Sequence, residues 1–203
     1  MKGISAILIT KNEEENVGDC LASLVFADEI VVVDSGSTDR TEEICRRDPR
    51  VRWFSEEWKG FGRQKNSALD KAAGPWIFCI DADERVTEEL AREVGALDLP
   101  AVPVDGYRVP RRSHFGGTWV RHGGWYPDYT VRLWRKGRGR FNDRRVHEVV
   151  QLAGAAGTLR GDLLHFTYRD TADFLERMDR YASLGAAEMR KEGKRATVID
   201  LAL

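Results

Sequence analysis

Glu29-Ile30-Val31-Val32-Val33-Asp34-Ser35-Gly36-Ser37-Thr38-Asp39 is the stretch that decides how this chain folds. Ile30 to Val33 is β-branched and apolar throughout, as a strand covered on both faces should be. At Asp34 it breaks into turn chemistry, which also offers N-caps to a helix running through about Arg47. The same strand-to-helix grammar recurs on both sides. Upstream, Ile4-Ser5-Ala6-Ile7-Leu8-Ile9 is an apolar run of strand length leading into Thr10-Lys11-Asn12-Glu13, and Glu14 to Leu24 puts Val17, Leu21 and Leu24 on one helical face. Downstream, Val51-Arg52-Trp53-Phe54 predicts a weaker strand, and Arg63 to Ala73 a helix stopped by Gly74-Pro75. Trp76-Ile77-Phe78-Cys79-Ile80 predicts another buried strand, ending at Asp81. Thr87 opens a helix towards Leu97, with Glu88 and Glu89 at its positive end. Strands alternating with helices predict an α/β fold with a mostly parallel central sheet and helices on both faces.

The pattern changes after Leu99-Pro100. Strand-like pieces follow at Gly106–Val109 and Thr130–Trp134 between Gly- and Arg-rich loops. A long helix is expected from about Thr171 to Lys191, with Phe174, Leu175, Met178, Tyr181, Ala182 and Leu184 available for packing. No linker-like composition separates the halves, so residues 1–203 read as one domain. The apolar end Val198-Ile199-Asp200-Leu201-Ala202-Leu203 suggests a natural chain that continues.

Composition narrows the classes. A 42% hydrophobic and 32% charged chain is globular rather than disordered, and a net charge of −1 gives no reason to expect a nucleic-acid partner. The arginines from Arg108 to Arg145 fit either a solvated face or an anionic partner such as a diphosphate, an anionic acceptor or a lipid headgroup. Cys20, Cys45 and Cys79 form neither a disulfide framework nor a zinc motif and read as buried thiols of a cytoplasmic protein. The N-terminal apolar run is too short for a signal peptide, and no segment is long and apolar enough to span a bilayer.

Three strands are expected to end in polar groups: Ile9 into Thr10-Lys11-Asn12-Glu13, Val33 into Asp34-Ser35-Gly36-Ser37, and Ile80 into Asp81-Ala82-Asp83. In a parallel sheet these ends share the edge where ligands bind. One Asp there is readily a cap or a turn former; three converging sites are harder to explain that way. Two carboxylates two residues apart beyond a buried strand suit a hard cation such as Mg²⁺ or Mn²⁺, which leaves positions for phosphates and water. Gly60-Phe61-Gly62-Arg63-Gln64-Lys65-Asn66 lacks the third glycine and the first-turn position of a dinucleotide fingerprint. Lys65, near a helix start, can meet a phosphate or be solvated. Trp119, Trp125, Tyr126 and Tyr129 interleave with Arg121 and His122 as a sugar-stacking surface would, or as core rings would.

Thr10-Lys11-Asn12-Glu13-Glu14, Val31–Asp39 and Ile80-Asp81-Ala82-Asp83-Glu84 together resemble the inverting family 2 glycosyltransferases of GT-A fold. The later Trp125-Tyr126-Pro127-Asp128, Arg132-Leu133-Trp134-Arg135-Lys136, Val146-His147-Glu148 and His165-Phe166-Thr167-Tyr168 are similar to a bacterial branch that extends lipopolysaccharide cores. The resemblance implies a nucleotide-sugar-binding half over 1–99 and an acceptor-binding half with a C-terminal helix over 100–203. Thr10, Asn12 and Glu13 or Glu14 would line the nucleotide pocket, and Asp34 would hydrogen-bond the base, uracil N3–H being the fitting donor. Asp81 would approach the ribose or a metal-bound water, and Asp83 would bind the metal, with Ala82 between them. Arg63 or Lys65 would assist at the diphosphate. Some GT-A enzymes recruit a late His to the metal, and His165 is the counterpart. The general base falls to Glu148, a departure from the usual Glu-Asp pair, with Asp128 as the competing candidate.

The function expected is inverting transfer of a hexose from a nucleoside diphosphate sugar, UDP-sugar favoured, with Mn²⁺ or Mg²⁺. The acceptor would be a glycan or lipid-linked, in lipopolysaccharide or cell-envelope polysaccharide synthesis, with peripheral contact at the cytoplasmic face of the inner membrane. Nucleotidyl transfer is the second enzyme class, although Thr10-Lys11-Asn12-Glu13 is not its Gly-rich loop. A phosphatase would want its D-x-D after the first strand. A nucleotide-sugar- or glycan-binding module without turnover is the non-enzymatic reading.

Overall fold

The computed structural model describes residues 3–143, 148–168, 170–191 and 193. Val146-His147 and Val198–Leu203 lie outside the described residues, as do the side chains of Tyr181 and Leu184. The elements run β1 (Ile4–Thr10), α1 (Val17–Ser23), β2 (Glu29–Asp34), α2 (Thr41–Cys45), β3 (Val51–Ser55), α3 (Phe61–Lys71), β4 (Trp76–Cys79), β5 (Glu84–Val86) and α4 (Glu88–Ala96). They continue with β6 (Gly106–Phe115), β7 (Thr118–Trp119), β8 (Asp128–Arg135), β9 (Gly139–Phe141), β10 (Val150–Leu152), β11 (Ala156–Thr158), β12 (Leu163–Tyr168) and α5 (Thr171–Lys191).

The main sheet has the order β3-β2-β1-β4-β8-β6-β12-β5. Its first four strands are parallel to their neighbours, as the alternating sequence demands. Apolar side chains divide by parity along them. Ile4, Ala6 and Leu8 of β1, Ile30 and Val32 of β2, and Trp76 and Phe78 of β4 face the core shared with α1 and α4. Ile7, Val31, Val33, Ile77 and Cys79 face Ala68, Leu69 and Ala72 beside α3. Helices therefore cover both faces, and the continuous apolar runs follow from that double burial.

Beyond β4 the sheet becomes mixed: β8 runs antiparallel to both β4 and β6, whereas β12 is parallel to β6. A strand returning from a hairpin-like loop needs no crossover helix, so the α/β alternation ends where the antiparallel pairs begin. Two irregularities interrupt this half. Tyr107 pairs with Leu133 and Arg108 with Val131, so Arg132 is an extra residue bulged out of β8. His165 pairs with Ser113 and Tyr168 with Phe115, so β12 carries an extra residue directly after His165. Bulges of this kind re-aim side chains. The helix α5 departs from the expected packing. Phe174 meets Phe115 and Tyr168, but Leu175 is 57% and Met178 50% exposed, and Ala182 is also exposed.

Candidate active site

The parallel order of β2, β1 and β4 brings their C-terminal ends to one edge. At the ends of β1 and β2, Asp34 is buried and organises the loop that follows it. Its Oδ1 accepts from Thr10 Oγ1 at 2.9 Å and from the Ser37 hydroxyl, and its Oδ2 accepts from the amides of Gly36 and Ser37 at 2.8 Å each. Gly36 has φ +88°, a conformation that lets these amides turn back onto the carboxylate. Asn12 also sits at positive φ, 55°, which asparagine tolerates, and its Oδ1 accepts from Thr38 N at 2.8 Å. Glu13 donates its amide to Thr41 Oγ1, and Glu14 its amide to Asp39 Oδ2 at 3.1 Å. The four lone-pair positions of the Asp34 carboxylate are thus all engaged, three by its own loop and one by Thr10 of β1.

At the end of β4 the chain enters a network of alternating charge. Lys65, buried on α3, lies 2.8 Å from Asp81 Oδ1 and 2.9 Å from Glu148 Oε1. Arg132, also buried, reaches Asp81 Oδ2 at 3.2 Å and pairs with Glu84, which is 0% exposed. Arg111 stands 3.8 Å from Glu84 and 2.6 Å from Asp128. Glu148, Lys65, Asp81, Arg132, Glu84, Arg111 and Asp128 therefore form one continuous chain. Burial acts to raise the Asp81 pKa, but Lys65 and then Arg132 outweigh it and hold the carboxyl well below the usual carboxylate range. Burial is the largest single influence on Lys65 and opposes its charge, but Asp81, Cys79 and Glu148 together outweigh it, so its pKa lies above that of an ordinary lysine. Burial pushes the Glu84 carboxyl up, against the pull of Arg132.

Asp83 lies on the outer side of this network, its Oδ2 3.4 Å from His165 Nε2. The bulge after His165 lets Thr167 Oγ1 approach His165 Nδ1 at 2.9 Å, and Ser113 Oγ lies 3.4 Å from the same nitrogen. In the tautomer that donates Nδ1–H to Thr167, Nε2 would present its lone pair beside Asp83. A carboxylate and an imidazole are donors suited to Mn²⁺, and the hydroxyl behind Nδ1 is the kind of support that orients metal-binding histidines. Among the described residues no group of three or more such side chains gathers, so the remaining positions around an ion here would fall to phosphate and water.

The structure thus brings Asp81, Asp83, His165, Lys65 and Glu148 together, joins Asp128 to them through Arg111, and sets Thr10, Asn12, Glu13, Glu14 and Asp34 on the adjacent loops. Ala82 is buried between the two aspartates, and its carbonyl accepts from Arg85 at 2.8 Å. Arg63 is not brought in: it is exposed and lies 3.5 Å from Asp143. Sequence reasoning missed Glu84, Arg111, Arg132, Ser113 and Thr167. For Arg111 the signal was the arginine-rich stretch itself; Arg132 also opened a segment that carried the family resemblance, and Glu84 directly followed the aspartate pair.

A parallel α/β half-sheet with ligand loops at its strand ends, continued by a mixed half, is the GT-A architecture. The superposition agrees: the chain matches the crystal structure of Staphylococcus aureus TarS 1-349 with a TM-score of 0.60 at 19% identity, over 89% of this chain and 64% of that one. The same TarS fragment solved in complex with UDP matches with a TM-score of 0.55 at 20% identity, over 77% of this chain and 60% of that one. Residues 5–160 match the glycosyl transferase family 2, and the chain belongs to that family. It is 35% identical to the lipopolysaccharide core biosynthesis glycosyltransferase LpsC of Rhizobium meliloti, over 95% of this chain and 73% of that protein. It is also 37% identical to the uncharacterized glycosyltransferase RT0209 of Rickettsia typhi, over 46% of this chain and 32% of that protein.

Proposed function

We propose that this protein transfers a hexose, with inversion, from a nucleoside diphosphate sugar to a glycan or lipid-linked acceptor in lipopolysaccharide or cell-envelope polysaccharide assembly. Family membership supports the transfer, and the likeness to LpsC supports the acceptor class. The observation that carries the reading is the Asp83–His165 pair beside the Asp81–Lys65–Glu148 network, at the sheet edge that also bears the loops around Asp34. UDP is the first nucleotide to consider, because the fold neighbour TarS has been crystallised with it.

Asp83 and His165 would hold Mn²⁺ or Mg²⁺, which when bound would offset the charge of the departing diphosphate. The loops of Thr10, Asn12, Glu13, Glu14 and Asp34 would receive the nucleoside. Asp34, with its acceptors engaged, would act by shaping the loop, and a direct bond to uracil N3–H would require the Ser37 hydroxyl to release it. Lys65 would fix Asp81 towards the ribose. Glu148, one ion pair from Asp81, would take the proton of the acceptor hydroxyl; Asp128, reached through Arg111, remains the competing base. Arg63 would have no part in donor binding. Contact with the inner membrane would be peripheral, since none of the described helices is long and apolar enough to cross one.

The test is turnover of a UDP-hexose panel with a deacylated lipopolysaccharide core oligosaccharide as acceptor. Release of UDP with formation of the inverted anomer, read by NMR, is expected. Diphosphate release from a nucleoside triphosphate instead would establish nucleotidyl transfer, and donor binding without turnover a binding module.

A further inference from the structure

The hairpin of β6 and β7 carries a cluster that the donor-side chemistry leaves unused. The guanidinium of Arg112 lies 4.7 Å from the centre of the Trp119 ring, and that of Arg121 lies 4.5 Å from it. Tyr126 meets the same indole edge-on at 5.2 Å. His114, which pairs with Trp119 across the hairpin, stacks on Phe166 at 5.2 Å. The polar balance here is one-sided. Arg112 has one ion pair, with Asp162 at 3.3 Å, and Asp162 also accepts from the Tyr126 hydroxyl at 3.0 Å. Arg121 has no ion pair among the described residues. Trp119 Nε1, Arg112 Nε and His114 Nε2 are buried without a hydrogen-bond partner. Indole and guanidinium N–H groups only donate, and a buried donor left unmatched is costly. Two donors of the cluster, Trp119 Nε1 and Arg112 Nε, therefore lack an acceptor oxygen.

Its place is specific. Ser113, next to His114, touches His165, and Phe166, next to His165, donates its amide to the Asp83 carbonyl at 2.9 Å. The cluster therefore begins one residue from the Asp83–His165 pair. It lies along β6 and β12, whereas the nucleotide loops lie along β1 and β2, with β4 and β8 between. We propose that this hairpin is the acceptor subsite for a negatively charged sugar. Arg121 and Arg112 receive carboxylate or phosphate oxygens, and Trp119, over whose ring both guanidiniums lie, holds the two cations in place. Guanidinium groups match planar oxyanions in paired hydrogen bonds. The role as acceptor subsite rests on the glycosyltransferase reading above.

The test titrates the protein with deacylated lipopolysaccharide core oligosaccharide and with the same oligosaccharide after dephosphorylation and carboxyl reduction. The intact form is expected to bind about tenfold more tightly, and Arg121→Glu to remove that advantage. Equal or absent binding of the two forms would overturn the proposal, and that comparison needs no variant. So would an Arg121→Glu protein that binds like the wild type. Arg121-dependent binding confined to phosphatidylglycerol vesicles would overturn it in favour of a membrane surface. The rise in Tm given by UDP with Mn²⁺, measured alongside, reports on the donor site: its retention in Arg121→Glu shows an intact fold. Its absence in the wild type counts against the transferase reading alone, while the oligosaccharide comparison still decides the anionic subsite.

Discussion

Lys65 holds Asp81 and Glu148 on one ammonium, and Arg132 holds Asp81 and Glu84 on one guanidinium, so Asp81 is gripped from both sides. Removing one member of a buried pair strands its partner, which is costlier than the pair itself is stabilising. Arg132→Leu, which takes the nearest guanidinium from buried Glu84 and leaves Arg111 3.8 Å away, is expected to lower stability by about 3–5 kcal/mol in urea unfolding at neutral pH. Glu148→Gln should cut transfer roughly 10²–10⁴-fold while leaving UDP affinity nearly unchanged, as the loss of a general base would. That profile in Asp128→Asn instead would move the base to Asp128. At this scale the sequence showed the strand-end acids because three such sites converge on one edge, whereas a single Asp there is readily a cap or a turn former. It could not show Arg132, whose direction comes from a bulge, or Thr167, whose reach to His165 comes from another.

In the first half β1, β2 and β4 were legible because each is an apolar run buried on both faces and ended by turn chemistry. Thr87 caps α4 by accepting from Leu90 N at 3.2 Å, as its place before Glu88 and Glu89 suggested. The short strands β5, β9, β10 and β11 have three residues each, and their existence depends on partners far away in sequence. The apolar stripe on α5 reads as a packing face, yet Leu175 and Met178 stay exposed. Two predictions belong here. Glu56, just after β3, bonds Lys59 and Ser67 at 2.7 Å each and also pairs with Lys71. Hydrogen bonds from Lys59, Lys71 and Ser67 bring its carboxyl down to about 2. A folded pKa below the unfolded one means stability that is present above the unfolded value of about 4.3 and lost as pH falls through about 2. Glu56→Gln should therefore cost about 1–3 kcal/mol at neutral pH, and the deficit should shrink towards zero by about pH 2. Urea titrations at several pH values check this, and a pH-independent deficit would count against it. In α3, a Cβ at Gly62 would fall 2.2 Å from the Asn142 carbonyl, so Gly62→Ala should cost about 1–3 kcal/mol through forced backbone shifts.

Across the whole molecule, the two halves differ in kind: a doubly covered parallel sheet holds the loops around Asp34, and a mixed, arginine-rich extension holds the aromatic hairpin. All three cysteines are buried in the first half, and burial pushes the thiols of Cys45 and Cys79 up to about 12 and raises that of Cys20. The folded protein should resist Ellman's reagent at about pH 8 and react only on unfolding, since the thiolate is the reactive form. The central claim is that Asp83, with His165, receives a metal–diphosphate at the sheet edge. It is tested most directly by the UDP affinity of the wild type and of Asp83→Asn, each with Mn²⁺ and with chelator. The account predicts Mn²⁺-dependent binding in the wild type that falls about tenfold to a hundredfold, or vanishes, in the variant. Equal Mn²⁺-dependent binding in both proteins would contradict it.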